Sequence, residues 1–360
     1  MAKNQAAWLL EAKLKPLKVQ DAPDPKPGPG EVVIKNAAIA INPVDWKMQQ
    51  GLFLKKYPHI LGTDVAGTVE EVGEGVTRIS KGQRVIAHMI GLATGDLADA
   101  AFQLYSKTLE TVVSPIPDSL SFEDAAVLPL AISTAAAGLY QKPHLALPFP
   151  STNPQPTDKT LLVWGGSSSV GATTIQLAVA SGLKVVATAS RKNHDFVKSL
   201  GAAAVVDYNS PGVVDEVLAA IDQQGGNIVG AYDAISEPAS LKLIGAITDK
   251  LGVLPVAVVL PPPEGLTKTV EAKKGECFPV VAMVLPLTLR VRSVIAPTVA
   301  LEHKEVGDAV WRKFVPEALA SGQLKAKPDA LVVGKGLERL QEAMDRQQAG
   351  VSAQKVVVSL

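Results

Sequence analysis

The stretch TLLVWGGSSSVGATTIQLAVASG (160–182) constrains this chain more than any other part of it. TLLVW has the length and composition of a buried strand. GGSSSVG is a turn of small residues, and ATTIQLAVA opens an apolar helix that the pattern carries to about Ser181. Gly166, Ser168 and Gly171 take the three spaced positions of the dinucleotide fingerprint. Small side chains let a backbone approach a pyrophosphate, and a helix N-terminus offers it unpaired N–H groups. Gly166, Ser167, Ser168, Ser169, Val170 and Gly171 are therefore candidate cofactor-binding residues. Ser168 stands where the fingerprint has glycine. Its Cβ narrows the approach, and its hydroxyl can donate a hydrogen bond. The bland alternative is an ordinary strand-to-helix turn.

The next strand, KVVAT (184–188), bears on which dinucleotide. NAD binders usually place an acid about 20 residues beyond the glycines, for the ribose 2′-OH. VVATASRKNH (185–194) contains none and offers Ser190, Arg191, Lys192 and Asn193 instead. Cations and hydroxyl donors suit a 2′-phosphate, so NADPH is the expected cofactor. A solvated basic helix start is the alternative.

Further short apolar runs, AAVV (203–206), IVGAYDA (228–234) and VLPVAVV (253–259), alternate with helical stretches. That alternation predicts a parallel sheet with right-handed crossovers, an α/β class. Before about residue 131 the chain is different. EVVIKNAAIAI (31–41), VAGTVEEVG (65–73) and GQRVIAH (82–88) read as strands of a β-rich unit, and APDPKPGPGE (22–31) as a turn segment. The five-proline stretch 141–159 reads as a surface loop, functional or merely tolerated. Helices are expected near WRKFVPEALASG and LERLQEAMDRQQAG, with a closing strand KVVVSL.

With 35 basic and 35 acidic residues the formal charge is zero, which argues against a general nucleic-acid binder. The single cysteine, Cys277, excludes a disulfide within the chain and any site built on several thiolates. Charges interrupt the apolar N-terminus, and stretches such as Phe278–Leu289 are short and proline-broken. A soluble cytoplasmic protein with no membrane span is expected.

PKPGPGEVVIK, INPVDWK (41–47), ILGTDVAGTVEEVGEGV (60–76), KGQRV (81–85), PLAISTA (129–135) and GGSSSVGATTIQLA together give a resemblance over essentially the whole chain. The sequence resembles the medium-chain dehydrogenase/reductase superfamily. Within it, the sequence looks like the zinc-independent quinone and enoyl reductases, in particular fungal zinc-binding oxidoreductases and the trans-acting enoyl reductases that serve polyketide synthases. The resemblance implies a GroES-like β-rich catalytic domain, 1–131 and 308–360. A Rossmann-type doubly wound parallel sheet, 132–307, is inserted in it, with the active site in the cleft between them.

The resemblance also carries residues. The catalytic zinc ligands of the alcohol dehydrogenases fall on Asn42, Thr63 and Leu130, and the relay hydroxyl on Val44. The four-cysteine structural-zinc loop has no counterpart in 87–108. No metal is therefore expected, and His59 and His88 are read as lone histidines with structural or surface roles. Alcohol oxidation without a Lewis acid is disfavoured. Hydride transfer to an alkene conjugated to a carbonyl, or to a quinone, delocalises its charge onto an oxygen that hydrogen bonds can stabilise.

The resemblance places Thr134 beside the nicotinamide and Asn42, Asp45 and Lys47 in or behind the cleft. Asn42, Lys47 and Thr134 are thus the catalytic candidates; Lys47 can equally be a structural lysine. The tyrosine proton donor of mitochondrial enoyl reductases falls on Phe53, and Tyr57 is not assigned. Tyr208 matches a 2′-phosphate contact, Lys355 a basic residue near the pyrophosphate, and Ile235 and Val256 backbone contacts along the cofactor. Asp233 reads as structural.

A non-catalytic NADPH-binding protein is the rival reading. A polyketide-synthase partner is a variant of the first reading, and either a monomer or a homodimer paired through LRVRSVI (289–295) fits the sequence.

Overall fold

The computed structural model describes residues 3–54, 56–261 and 289–360. Cys277 and most of the stretch Phe278–Leu289 lie outside the described residues. Eight strands come first: β1 (Gln5–Leu9), β2 (Lys18–Asp21), β3 (Glu31–Ala40), β4 (His59–Ile60), β5 (Asp64–Val72), β6 (Arg84–His88), β7 (Tyr105–Leu109) and β8 (Val113–Pro115). Then follow β9 (Thr160–Trp164), β10 (Lys184–Ala189), β11 (Ala204–Asp207), β12 (Ile228–Asp233), β13 (Leu254–Val258) and β14 (Leu289–Ser293). Near the C-terminus lie β15 (Asp329–Lys335) and β16 (Gln354–Ser359). The chain divides into two compact units, Met1–Ser133 with Val299–Leu360, and Thr134–Thr298.

In the second unit the strands run β11-β10-β9-β12-β13-β14, and every pairing is parallel. Counted from β9 this is the order 3-2-1-4-5-6 of a Rossmann-type doubly wound sheet, as the βαβ alternation predicts. TLLVW forms β9 residue for residue, and every one of its side chains is buried. A central parallel strand is covered on both faces, so an apolar run without alternation is what it needs. The strand order reverses between β9 and β12, and ligands of such sheets bind beyond the C-terminal ends of the strands at that reversal.

The first unit holds a seven-stranded sheet in the order β15-β16-β3-β5-β6-β8, with β7 also pairing with β3, and a small sheet β2-β1-β4. Most pairings are antiparallel; β15 and β16 are parallel. Gly67 of β5 is a glycine for a reason: a Cβ there would lie 2.1 Å from the Lys35 carbonyl oxygen of β3. The closing strand β16 pairs with the end of β3, Val357 opposite Ala40. That pairing brings Lys355 beside Asn42.

Several elements depart from the sequence reading. AAWL, expected only as part of an interrupted apolar stretch, belongs to β1, and β15 has no counterpart in the sequence reading. The helix expected over WRKFVPEALASG begins as a widened π-helical segment, Asp308–Phe314, and continues as Val315–Ser321. Pro316 has no N–H to offer the preceding turn, which is where the regular ladder fails. The Trp311 indole is fully buried and donates to Ser133 Oγ at 3.0 Å. Among the described residues one helical stretch, Phe122–Tyr140, is long and apolar enough to cross a bilayer, but 78% of its apolar window is buried inside the protein, as in a core helix.

Candidate active site

At the end of β9, Gly165 turns the chain with φ +78°, and a Cβ there would lie 2.5 Å from Ile235 Cγ1. Its N–H donates to Thr188 Oγ1 (3.1 Å), and that of Gly166 to the Thr188 carbonyl (2.8 Å), so β10 fixes the turn. At Gly171 a Cβ would meet the Gly165 carbonyl oxygen at 2.2 Å. Glycine is required here because the helix Ser169–Ala180 packs directly onto the turn.

Ser168 is the N-cap. Its Oγ accepts from the Gly171 N–H (3.0 Å) and donates to the Gly165 carbonyl (2.9 Å). The hydroxyl expected to reach an anion is therefore used in holding the turn. The donors left to face a pyrophosphate are the first-turn N–H groups of Ser169 and Val170, on half-buried residues beside Ser167. Gly165, which the fingerprint spacing passes over, is the residue whose backbone needs a left-handed conformation.

Across the strand reversal, Asp233 ends β12 and accepts from the N–H of Ile235 (3.0 Å), the N–H of Ser236 (2.9 Å) and Ser240 Oγ (2.7 Å). It ties β12 to the helix Pro238–Leu251 and sets the backbone of Ile235 against Gly165. Burial pushes its carboxyl above the usual carboxylate range. Val256 lies two residues inside β13, in register with Ala231 and Val291, with its side chain in the core.

Beyond β10, Ser190 opens a turn over Arg191–Asn193. Arg191 and Lys192 are exposed, while Asn193 is buried and donates to Ser190 Oγ at 3.2 Å. Tyr208 follows β11 and is exposed. Between them stands an acid that sequence spacing did not single out, Asp207 at the end of β11. The Asn209 N–H, with Arg191 and His194 adding positive charge, holds its carboxyl below the usual range. Small residues at the turn, free helix N–H groups and a cationic rim fit a dinucleotide.

In the first unit the polar residues form one closed set. Asn42 Nδ2 donates to Thr63 Oγ1 (2.9 Å) and Asp64 Oδ2 (2.8 Å), and its Oδ1 accepts from Lys355 Nζ (2.5 Å). Lys355 Nζ also lies 3.0 Å from Asp64 Oδ2. The other Asp64 oxygen accepts the Leu130 N–H at 2.5 Å. Asp45 Oδ2 accepts the Asn42 backbone N–H at 2.7 Å. Asn42, Asp45, Thr63, Asp64 and Lys355 are all buried.

Both Asn42 amide hydrogens are thus committed within the protein. Lys355, expected near a pyrophosphate, is placed inside this set. Lys47 lies over the Trp46 ring, 5.4 Å from its centroid. Thr134 belongs to the second unit, where its carbonyl accepts the hydroxyl of the buried Tyr232 at 2.7 Å. Phe53 is exposed with φ +70°, and Tyr57 is half-buried.

Two buried groups near this set have displaced pKa values of opposite effect. Burial, with Asp64 adding repulsion, pushes Asp45 up to about 7 against the pull of the Asn42 N–H. Burial pushes His88 down to about 4. Asp45 Oδ1 and His88 Nδ1 have no hydrogen-bond partner.

An unfolded histidine takes up its proton near pH 6.5, so between about 6.5 and 4 the unfolded chain binds a proton that folded His88 refuses. His88 therefore destabilises the fold progressively as pH falls through that window. Asp45 does the reverse, because its folded form holds a proton from about 7 downward. The two slopes oppose one another. The stability of His88→Asn relative to the parent should therefore climb between pH 7 and pH 4, by up to about 3 kcal/mol, in urea titrations. A pH-independent difference would mean that His88 titrates normally.

Residues 28–117 match the family described as the alcohol dehydrogenase GroES-like domain, and residues 169–273 the one described as zinc-binding dehydrogenase. With these matches and the doubly wound sheet, the chain belongs to the medium-chain dehydrogenase/reductase superfamily and is an oxidoreductase of that type. It is 46% identical over 358 residues to trans-enoyl reductase himH of Aspergillus japonicus, covering 99% of this chain and 97% of that one. It is 41% identical to dehydrogenase orsE of Emericella nidulans, over the full length of both.

Among solved structures, an alcohol dehydrogenase superfamily protein of Novosphingobium aromaticivorans superposes with a TM-score of 0.75 at 22% identity, covering 99% of both chains. The CurK enoyl reductase gives 0.72 at 20%, again covering 99% of both. Mycobacterial Rv1454c complexed with NADPH gives 0.66 at 21%, covering 99% of this chain and 100% of that one.

One of these family descriptions names zinc, and the donor set speaks against it. Asn42, Thr63 and Leu130, where the resemblance puts the metal ligands, supply a carboxamide, a hydroxyl and an aliphatic side chain, with the Lys355 ammonium bonded to the first. A zinc ion needs thiolate, imidazole or carboxylate donors and is repelled by an adjacent ammonium. These residues do not fit it. Among the described residues no group of three His, Cys, Asp or Glu could hold an ion.

Proposed function

We propose that this chain is an NADPH-dependent, metal-free reductase of C=C bonds conjugated to a carbonyl, in enones or enoyl thioesters, with quinones as further acceptors. The observation that carries this reading is the hydrogen-bonded set at Asn42, Thr63, Asp64 and Lys355, which stands where metal-dependent relatives keep a Lewis acid. Without one, a hydride acceptor whose charge delocalises by resonance is favoured over a simple alcohol or aldehyde. The names of relatives such as himH point the same way, and in that setting a cytoplasmic polyketide synthase is the partner that delivers the enoyl thioester.

The bound nicotinamide supplies the hydride, and this chain's residues bind, orient and stabilise. Gly166, Ser167, Ser168, Ser169, Val170 and Gly171 form the pyrophosphate cradle. Ser190, Arg191, Lys192, Asn193 and Tyr208 take the 2′-phosphate, a preference supported by a protein of the same fold that is complexed with NADPH. Ile235 and Val256 line the cofactor's path. Thr134 contacts the nicotinamide, and Lys47 stabilises charge on the carbonyl oxygen. Asn42, whose amide hydrogens are already engaged, supports the site from within. Water supplies the proton. The edge strand β14 is the candidate dimer contact, and a monomer is the alternative state.

The test is NADPH and NADH oxidation, with and without a strong chelator, against a quinone, an enone, an enoyl thioester and a simple aldehyde. Chelator-insensitive turnover of NADPH with one of the first three is expected. Activity confined to the aldehyde, or activity lost to chelator and restored by zinc, would overturn the reading. Tight NADPH binding without turnover would favour the non-catalytic rival.

A further inference from the structure

A lysine buried to 4% exposure on a strand of the sheet core is unusual, because an apolar residue of similar volume is commonly as stable or more so. Lys355 sits on β16 with its ammonium directed inward, onto Asn42 Oδ1 at 2.5 Å and Asp64 Oδ2 at 3.0 Å. An ammonium is a donor only. It therefore fixes which end of the Asn42 carboxamide faces it, and Nδ2 must turn to Thr63 Oγ1 and Asp64 Oδ2.

The same pair reaches a third segment. Asp64 Oδ1 takes the Leu130 N–H, in the first turn of the helix Pro129–Tyr140. Thr134 lies one turn further along that helix. Asn42, Thr63 and Leu130 are the positions onto which the zinc ligands of the metal-dependent relatives fall. Here a proton-bearing cation and its carboxylate join the segments instead.

We propose that Lys355 is a positioning residue: its ammonium, with the Asp64 carboxylate, ties the Asn42, Thr63 and Leu130 segments together, as a metal ion does in the zinc-dependent relatives. The catalytic part of this inference rests on the metal-free reductase reading above. The tie itself is independent of it.

Two variants separate positioning from folding. Lys355→Met leaves a buried carboxylate without its cation, and its melting temperature should fall by about 10 °C. Lys355→Met/Asp64→Asn removes both charges and should recover most of that loss. If the pair positions the site, kcat should stay about 100-fold down in the double variant, while the KM for NADPH stays within about threefold of the parent.

A second readout needs no substrate. Hydrogen exchange of the Asn42 side-chain amide, followed by NMR, should be at least about tenfold faster in the double variant. A double variant with parental kcat and unchanged Asn42 exchange would reduce the pair to a replaceable core element and overturn the proposal. If the parent protein itself reduces none of the acceptors, the reductase reading falls, and Asn42 exchange alone decides whether the tie exists.

Discussion

Gly171→Ala should abolish nucleotide binding. The change adds one methyl group, yet its Cβ would stand 2.2 Å from the Gly165 carbonyl oxygen, a backbone atom held by the sheet. The helix Ser169–Ala180 would have to move away from β9. That motion breaks the Ser168 cap and carries the Ser169 and Val170 N–H groups out of line with the anion. Forcing a carbon into so tight a contact costs about 3 kcal/mol or more. We expect a melting temperature several degrees lower and an NADPH affinity weakened at least about 100-fold by fluorescence titration. Parental affinity in this variant would mean that the anion is held elsewhere.

The second large effect concerns cofactor choice. Arg191 and Lys192 are exposed beyond β10, and no acid of the fingerprint's ribose-binding kind stands beside them on that strand. Each charge-assisted hydrogen bond to a phosphate contributes about 1.5–3 kcal/mol. Arg191→Ala/Lys192→Ala should raise the KM for NADPH about 100-fold and leave that for NADH within about threefold. Asp207 should sharpen the contrast, because in the variant its carboxylate faces the rim without the Arg191 charge. Equal losses for both nucleotides would show that the cations act on the fold or on the pyrophosphate, and not on the 2′-phosphate.

The second unit was the more legible of the two in sequence. A buried parallel strand is an uninterrupted apolar run, and TLLVW, five residues ahead of two glycines, reads as a strand candidate; β9 coincides with it. The strands of the first unit depend on partners far along the chain. QAAWL is β1, with β2 and β4 paired on either side of it. The candidate site shows the same divide. The glycine turn is local and could be read from spacing, apart from the Ser168 hydroxyl, whose direction depends on the Gly165 carbonyl. Asn42 and Lys355 were each singled out, but for separate roles. Their contact joins residues 313 apart across a sheet pairing, which no periodicity encodes.

The division of the first unit into two segments also orders its synthesis. Every residue of the second unit, Thr134–Thr298, leaves the ribosome before β16 is made. Its sheet can therefore close while β3 still lacks the neighbour that Val357 and its flanking residues supply. Until then the end of β3 is an exposed edge, and Asn42 and Asp64 have no cation between them. A chain released early would carry every residue of the second unit but an unfinished sheet in the first. Completion of the buried hydrogen-bonded set is thus among the last events in making the protein, and it coincides with the arrival of Lys355.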